Sequence, residues 1–301
     1  MLKPLLPLVL ATTLATPALA QPLSIPTAQG PVTVEANPAT IAVYDMAALD
    51  TLLALGVMPA ATIDPIQVPE LARAARSARP VGTLFEPDLE ALAALAPDLV
   101  IVGGRSSVQL GAVSNVAPAI DMTLGADLLA DARLRIDGYG ALFGREDEAR
   151  ALNAALDDRL ERLRDAAQGK GDMLIVMTNG TRMSAYGAQS RFGWIFDATG
   201  LEEAVPGLDN ANHGQAISHE FIAQADPDWL VVVDRAAAIG ETAPDALQTL
   251  RSDLVAGTTA WRQDQVVVLD PGQTYISAGG YSALEGTLDR LIAAFSGDAP
   301  A

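Results

Sequence analysis

The sequence predicts an α/β protein of two related halves joined by a long helical stretch. Three observations point there. Short apolar runs of four or five residues alternate with segments whose apolar positions recur at helical spacing, the pattern of strand-helix units with mostly parallel sheets. Residues 125–168 break that alternation: apolar positions stay at helical spacing with charges between them, and no β run intervenes. And one pattern occurs twice, as Leu89-Glu90 followed by Pro97-Asp98 and as His219-Glu220 followed by Pro227-Asp228, each time leading into an apolar strand.

The elements follow in chain order. The first twenty residues, MLKPLLPLVLATTLATPALA, place Lys3 before an apolar run of about a dozen residues and end in Ala18-Leu19-Ala20, a small-x-small cleavage pattern. They are expected to be a secretory signal peptide, too short and wrongly flanked to span a membrane. The mature chain is then expected to begin near Gln21 and to be soluble in the periplasm. Strands are expected at Thr40–Tyr44, Asp98–Val102, Met173–Met177, Leu230–Val233 and Val266–Leu269. Helices are expected at Met46–Leu55, Leu89–Leu95, Glu220–Ala225 and Ala283–Phe295, with one or two long helices over Gly125–Gln168, interrupted near Gly144. The expected division is a leader at 1–20, an N-terminal α/β lobe at 21–124, a helical connector at 125–168 and a C-terminal α/β lobe at 169–301.

Composition narrows the function. Half of the 301 residues are hydrophobic and 19% are charged, which excludes a disordered chain. The net charge of −18, or −19 without Lys3 (18 basic residues against 37 acidic), disfavours nucleic acid and anionic lipid as partners. With no cysteine, stability comes from packing, and a lipid-anchored cysteine after the leader is ruled out. Beyond the leader, Lys170 is the only lysine and every other base is Arg.

The repeated acids have two readings. A Glu suits a helix N-terminus on dipole grounds. Equally, Glu90 and Glu220, one per half, would make a two-point docking surface for a basic partner. Spacing alone leaves both open.

Several segments carry a resemblance. Gly82-Thr83-Leu84-Phe85-Glu86-Pro87-Asp88-Leu89-Glu90, Pro97-Asp98 through Gly103-Gly104-Arg105-Ser106, His213-Gly214-Gln215-Ala216-Ile217-Ser218 and Val233-Asp234-Arg235 are similar to the iron-siderophore-binding proteins of ABC importers, above all those that bind catecholates. In order and spacing the match spans nearly the whole mature chain. It implies two Rossmann-like α/β lobes joined by a long helix, with the ligand in the cleft between them and little closure on binding. It also implies that Glu90 and Glu220 dock onto arginines of the inner-membrane permease. The chain departs from the pattern in lacking a lipidation cysteine.

Ferric iron prefers six ligands, mostly oxygen, with imidazole acceptable. A tris-catecholate fills all six positions, whereas a bis-catecholate leaves two for side chains. The resemblance offers His213, one of two histidines, and Tyr275, in Asp270-Pro271-Gly272-Gln273-Thr274-Tyr275, for those positions. A loop His bonded to its own backbone and a Tyr packed at a lobe surface are the plainer readings. Arg105, Arg191 and Arg235 each follow a strand or loop tip, where ligands collect in open α/β sheets, and would donate to catecholate oxygens. A lone Arg235 would otherwise pair with Asp234. Tyr44, at the end of the first strand, is a candidate to stack on the ligand. No intrinsic cofactor is expected; ferric iron would arrive as the siderophore complex, to a monomer.

The alternatives are a binding protein of the same fold for haem, cobalamin or a hydroxamate siderophore, and a secreted hydrolase. His213 and Tyr275 would suit haem as axial ligands, though three arginines favour a more anionic ligand. The chain has no Gly-x-Ser-x-Gly elbow, His-Glu-x-x-His or phosphate loop, so no enzyme is expected.

Overall fold

The computed structural model describes residues 22–208 and 213–297; the expected leader, residues 1–20, lies outside the described residues. A hairpin of β1 (Pro22–Thr27) and β2 (Gly30–Glu35) comes first. The first half then builds a sheet from β3 (Ile41–Val43), β4 (Ala61–Thr62), β5 (Arg79–Pro80), β6 (Leu99–Val102) and β7 (Ala119–Asp121). Its order is β5-β4-β3-β6-β7, and every neighbouring pair is parallel.

The second half contributes β8 (Asp172–Asn179), β9 (Arg182–Tyr186), β10 (Glu202–Glu203), β11 (Gln215–Ile217), β12 (Trp229–Asp234) and β13 (Val266–Val268). The order is β11-β9-β8-β12-β13, with β10 also paired to β8. Pairs β8-β12, β12-β13 and β8-β10 are parallel, whereas β9 runs against β8 and β11 against β9. Alternation along β8 and β12 serves two cores. Met173, Ile175, Trp229 and Val231 face the main core; Leu174, Val176, Leu230 and Val232 face a smaller one on the other side of the sheet.

The connector is two helices, Leu128–Phe143 and Glu146–Ala167, broken at Gly144, whose φ of +61° ends the first in a left-handed cap. The last helix, Tyr281–Ser296, packs against both Glu146–Ala167 and Met46–Ala54. It leaves the C-terminal lobe and seals onto the N-terminal one. Its N-cap is Gly280, which has no side chain to offer, and Met46–Ala54 supplies the missing acceptors. The buried Asp50 carboxylate accepts the Ala283 N–H at 2.8 Å, and Thr51 Oγ1 accepts that of Tyr281 at 3.2 Å. The main core therefore runs unbroken from the first sheet through the connector to the second.

The sequence repeat is a structural repeat. Helices Leu89–Leu95 and His219–Ala225 each have seven residues and end on a left-handed residue, Ala96 and Asp226. The Pro-Asp turn then ties each lobe together. Asp98 Oδ2 accepts the N–H groups of Ala39 and Thr40 ahead of β3, and Asp228 Oδ2 accepts that of Asp172 at the start of β8. Among the described residues, no helix is long and apolar enough to cross a membrane.

Candidate ligand-binding cleft

Between the lobes lies a cleft of two compartments that share Arg191 and Tyr275. One, of about 730 Å³, is walled by Asp45, Arg105, Thr123 and Leu124 of the first lobe and by Gln189 of the second. The other, of about 520 Å³, lies on the second lobe and is lined by Asn179, Arg182, Tyr186, His213, Arg235 and Glu241.

Each arginine is delivered by a local feature. β6 runs out into Gly103-Gly104, and the N–H of Gly104 is held at 2.9 Å by Thr123 Oγ1, which in turn donates to Asp121. That anchored loop points Arg105 across the cleft, where it donates to the Tyr275 carbonyl at 3.2 Å and lies 4.7 Å from the ring centre. After β12, Asp234 is occupied as the N-cap of helix Arg235–Ala238, accepting the Ala237 N–H at 3.0 Å. The Asp234–Arg235 ion pair is therefore not what holds Arg235. Its Nε donates to the Tyr275 hydroxyl at 3.0 Å and its Nη1 to Asn179 Oδ1 at 3.0 Å. Arg191 lies 4.5 Å from the Tyr275 ring centre and 5.1 Å from that of Phe192.

Tyr275 sits on a wide helical turn, Gly272–Ile276. Burial pushes its phenol up, but the hydrogen bonds and charges of Arg105 and Arg235 outweigh this and hold it below the ordinary tyrosine value. Arg191 is itself drawn below the usual arginine value by desolvation and by Arg105. Three cations thus crowd one phenol.

His213 is exposed and borders the second-lobe compartment with Arg235 and Tyr275. The next residue has to be glycine. Gly214 has φ +68°, and a Cβ there would lie 2.7 Å from the Ala185 carbonyl and 2.8 Å from the Tyr186 ring. Glu90 and Glu220 stand apart from the cleft, each exposed as the second residue of its helix. Hydrogen bonding to Ser218 and to its own backbone holds Glu220 below the usual carboxylate value. His219 turns to the carbonyl of Thr249, 2.8 Å away.

Tyr44 corrects an expectation. It is fully buried, its hydroxyl donates to the Val81 carbonyl at 2.8 Å, and burial pushes its phenol up to about 12. Enclosed on all sides, it has no ring face left for a ligand. Asn179 is the residue that sequence reasoning overlooked; it closes β8 opposite Arg182, ahead of the Gly180-Thr181 turn into β9.

Among the described residues, no three or more His, Asp or Glu cluster to hold a metal ion. The chemistry is that of a cationic, aromatic-lined notch, so an iron ion would have to bring most of its own ligands.

Comparison with known proteins agrees with this geometry. Residues 41–272 match the family model described as periplasmic binding protein. The chain is 32% identical over 253 residues to the petrobactin-binding protein YclQ of Bacillus subtilis, covering 82% of this chain and 80% of that one. It is 28% identical over 298 residues to the ferric-anguibactin-binding protein FatB of Vibrio anguillarum, covering 92% and 91%. The crystal structure of the periplasmic catecholate-siderophore binding protein VctP of Vibrio cholerae superposes with a TM-score of 0.85 at 29% identity, covering 91% of this chain and 100% of that one. The cleft is accordingly a place for binding rather than turnover, and the chain belongs to the periplasmic binding protein family.

Proposed function

We propose that this chain captures a ferric catecholate siderophore in the periplasm and hands it to the permease of an ABC importer. One observation carries the reading: Arg105, Arg191 and Arg235 converge on the Tyr275 phenol in the interlobe cleft. A catecholate is a phenol with a second oxygen, and the arrangement that holds Tyr275 suits its dianion better still. The names of YclQ, FatB and VctP support a siderophore as the ligand class.

In a tetradentate bis-catecholate complex two iron positions stay open. His213 and Tyr275, which border one compartment, would fill them with an imidazole nitrogen and a phenolate oxygen. Swinging Tyr275 from the arginines to iron would free their N–H groups for the catecholate oxygens. Glu90 and Glu220, exposed at matching points of the two lobes, would meet basic residues of the permease. The protein acts as a monomer, exported by a leader that ends at Ala20.

Titration of the intrinsic tryptophan fluorescence with ferric catecholate, ferric hydroxamate and haem tests the reading. Quenching is expected with bis- and tris-catecholates and not with the other two. Preference for hydroxamate or haem would overturn it. Arg105→Gln and Arg235→Gln are each expected to weaken binding about 10- to 100-fold, as loss of a charge-assisted hydrogen bond implies. Tyr275→Phe should alter the visible charge-transfer band of the bis-catecholate complex; an unchanged band would remove Tyr275 from the iron.

A further inference from the structure

The second lobe carries another built cavity at the far end of its sheet. The cleft takes Asn179 and Arg235 from the C-terminal ends of β8 and β12. At the opposite ends, where Lys170 precedes β8 and Trp229 opens β12, lies a cavity of about 560 Å³. The six residues of β12 put roughly 20 Å between the two.

Its lining is cationic. In a chain of net charge −18, Lys170, Arg251 and Arg290 border this one cavity, against the single carboxylate of Asp264. Among the described residues, the side chains of these three cations make no hydrogen bond or ion pair, as is also true of Arg76, Arg79, Arg164, Arg182 and Arg262; here three such cations share one cavity. The walls are aromatic. Trp261 lines one side, and Trp229 is fixed edge-on against Phe295 with ring centres 4.4 Å apart. Trp229 is only 4% exposed, yet its buried indole N–H has no acceptor. A buried donor without a partner is unfavourable and uncommon. The residue that carries it borders a cavity surrounded by unpaired positive charge.

We infer that this cavity is a second ligand site, which takes a small organic carboxylate with a flat apolar body. The carboxylate would accept from the arginines, while the body would lie against the half-buried ring of Trp261. The volume falls in the range of small-molecule sites. The lone Asp264 disfavours polyanions. The site is separate from the siderophore reading and stands if that reading fails.

The chain has three tryptophans, so the indole N–H region of a nitrogen-15 correlation spectrum holds three signals, assigned through Trp194→Phe and Trp261→Phe. Titrating the full chain with 2-naphthoate is expected to shift the Trp261 signal saturably, with a Kd below about 1 mM. Arg251→Gln/Arg290→Gln should weaken this at least about tenfold and leave the Trp194 signal in place, which verifies the fold. Neutral 2-naphthamide and inorganic phosphate serve as controls and should bind far more weakly. No saturable shift, a shift unchanged in the double variant, or equal binding of naphthamide would overturn the inference. Equal binding of phosphate would reduce the site to a patch of positive charge, which also overturns it.

Discussion

Tyr275 concentrates the chemistry of the cleft in one side chain. Arg105 lies fifteen residues after Glu90 and Arg235 fifteen after Glu220, so the repeat that relates the lobes also relates the two guanidinium groups on either side of its phenol. The repeat thus brings one cation from each lobe to the cleft, and Tyr275 meets both. The other tyrosines differ sharply. Burial pushes Tyr44 and Tyr186 up to about 12 and raises Tyr139 and Tyr281 as well. Ultraviolet titration of the ligand-free protein should therefore show one of the five tyrosines ionising before the rest, at a pH below the ordinary value of about 10. Tyr275→Phe is expected to delete that early phase and leave the others intact. If the phase survives, the arginines are not acting on this phenol.

Among the elements, the junction of helices Met46–Ala54 and Tyr281–Ser296 has a distinctive pH signature. Burial pushes Asp50 up to about 6 against the hydrogen bonds from Ser282 and Ala283, with Glu285 adding to the rise, and its Oδ1 has no partner. A carboxyl raised in the folded state holds its proton more tightly there than in the unfolded chain. Its contribution is fully present below the unfolded value of about 4 and is lost as pH rises through about 6. Asp50→Asn keeps an acceptor for Ala283 without the buried charge. It should raise stability at pH 7.5 by about 1–3 kcal/mol and change little at pH 4, read from urea midpoints. Parallel pH curves for the two proteins would contradict this. The junction was not legible in the sequence, because Asp50 and Ala283 meet only through the tertiary fold. What was legible was local. Helix Leu89–Leu95 lies where its periodicity put it, and the break at Gly144 follows from a residue suited to a positive φ. Short strands such as β4, β5 and β10, two residues each, carry too few positions for a period-two pattern. Within the cleft, Arg105, Arg191, Arg235, His213 and Tyr275 were found through motif resemblance. Tyr44 was misjudged because the end of a strand looks exposed until the neighbouring Val81 segment covers it.

For the whole molecule, the continuous core decides how independent the lobes are. Two sheets on either side of a cleft suggest separate folding units, yet Leu284, Leu288, Leu291 and Phe295 of the last helix belong to the same buried cluster as Val43 and Leu52 of the first lobe and Ile175 and Val231 of the second. At the cleft edge the fit is equally close: Gly279, at φ +84°, passes Leu124 so tightly that a Cβ would lie 2.2 Å from its Cδ1. Opening the lobes would expose apolar surface on both, so the shared core is expected to hold the ligand-free cleft near one width. Leu288→Ala tests this at a site outside the cleft. Removing a fully buried leucine should cost about 2–5 kcal/mol. In a single cooperative unit that loss is felt everywhere: native-state hydrogen exchange of the slowest amides in β3 and β6 should accelerate by the same factor as in β8 and β12. Were the lobes separate units, exchange would quicken in one sheet and stay unchanged in the other, and the cleft would be free to open as a hinge.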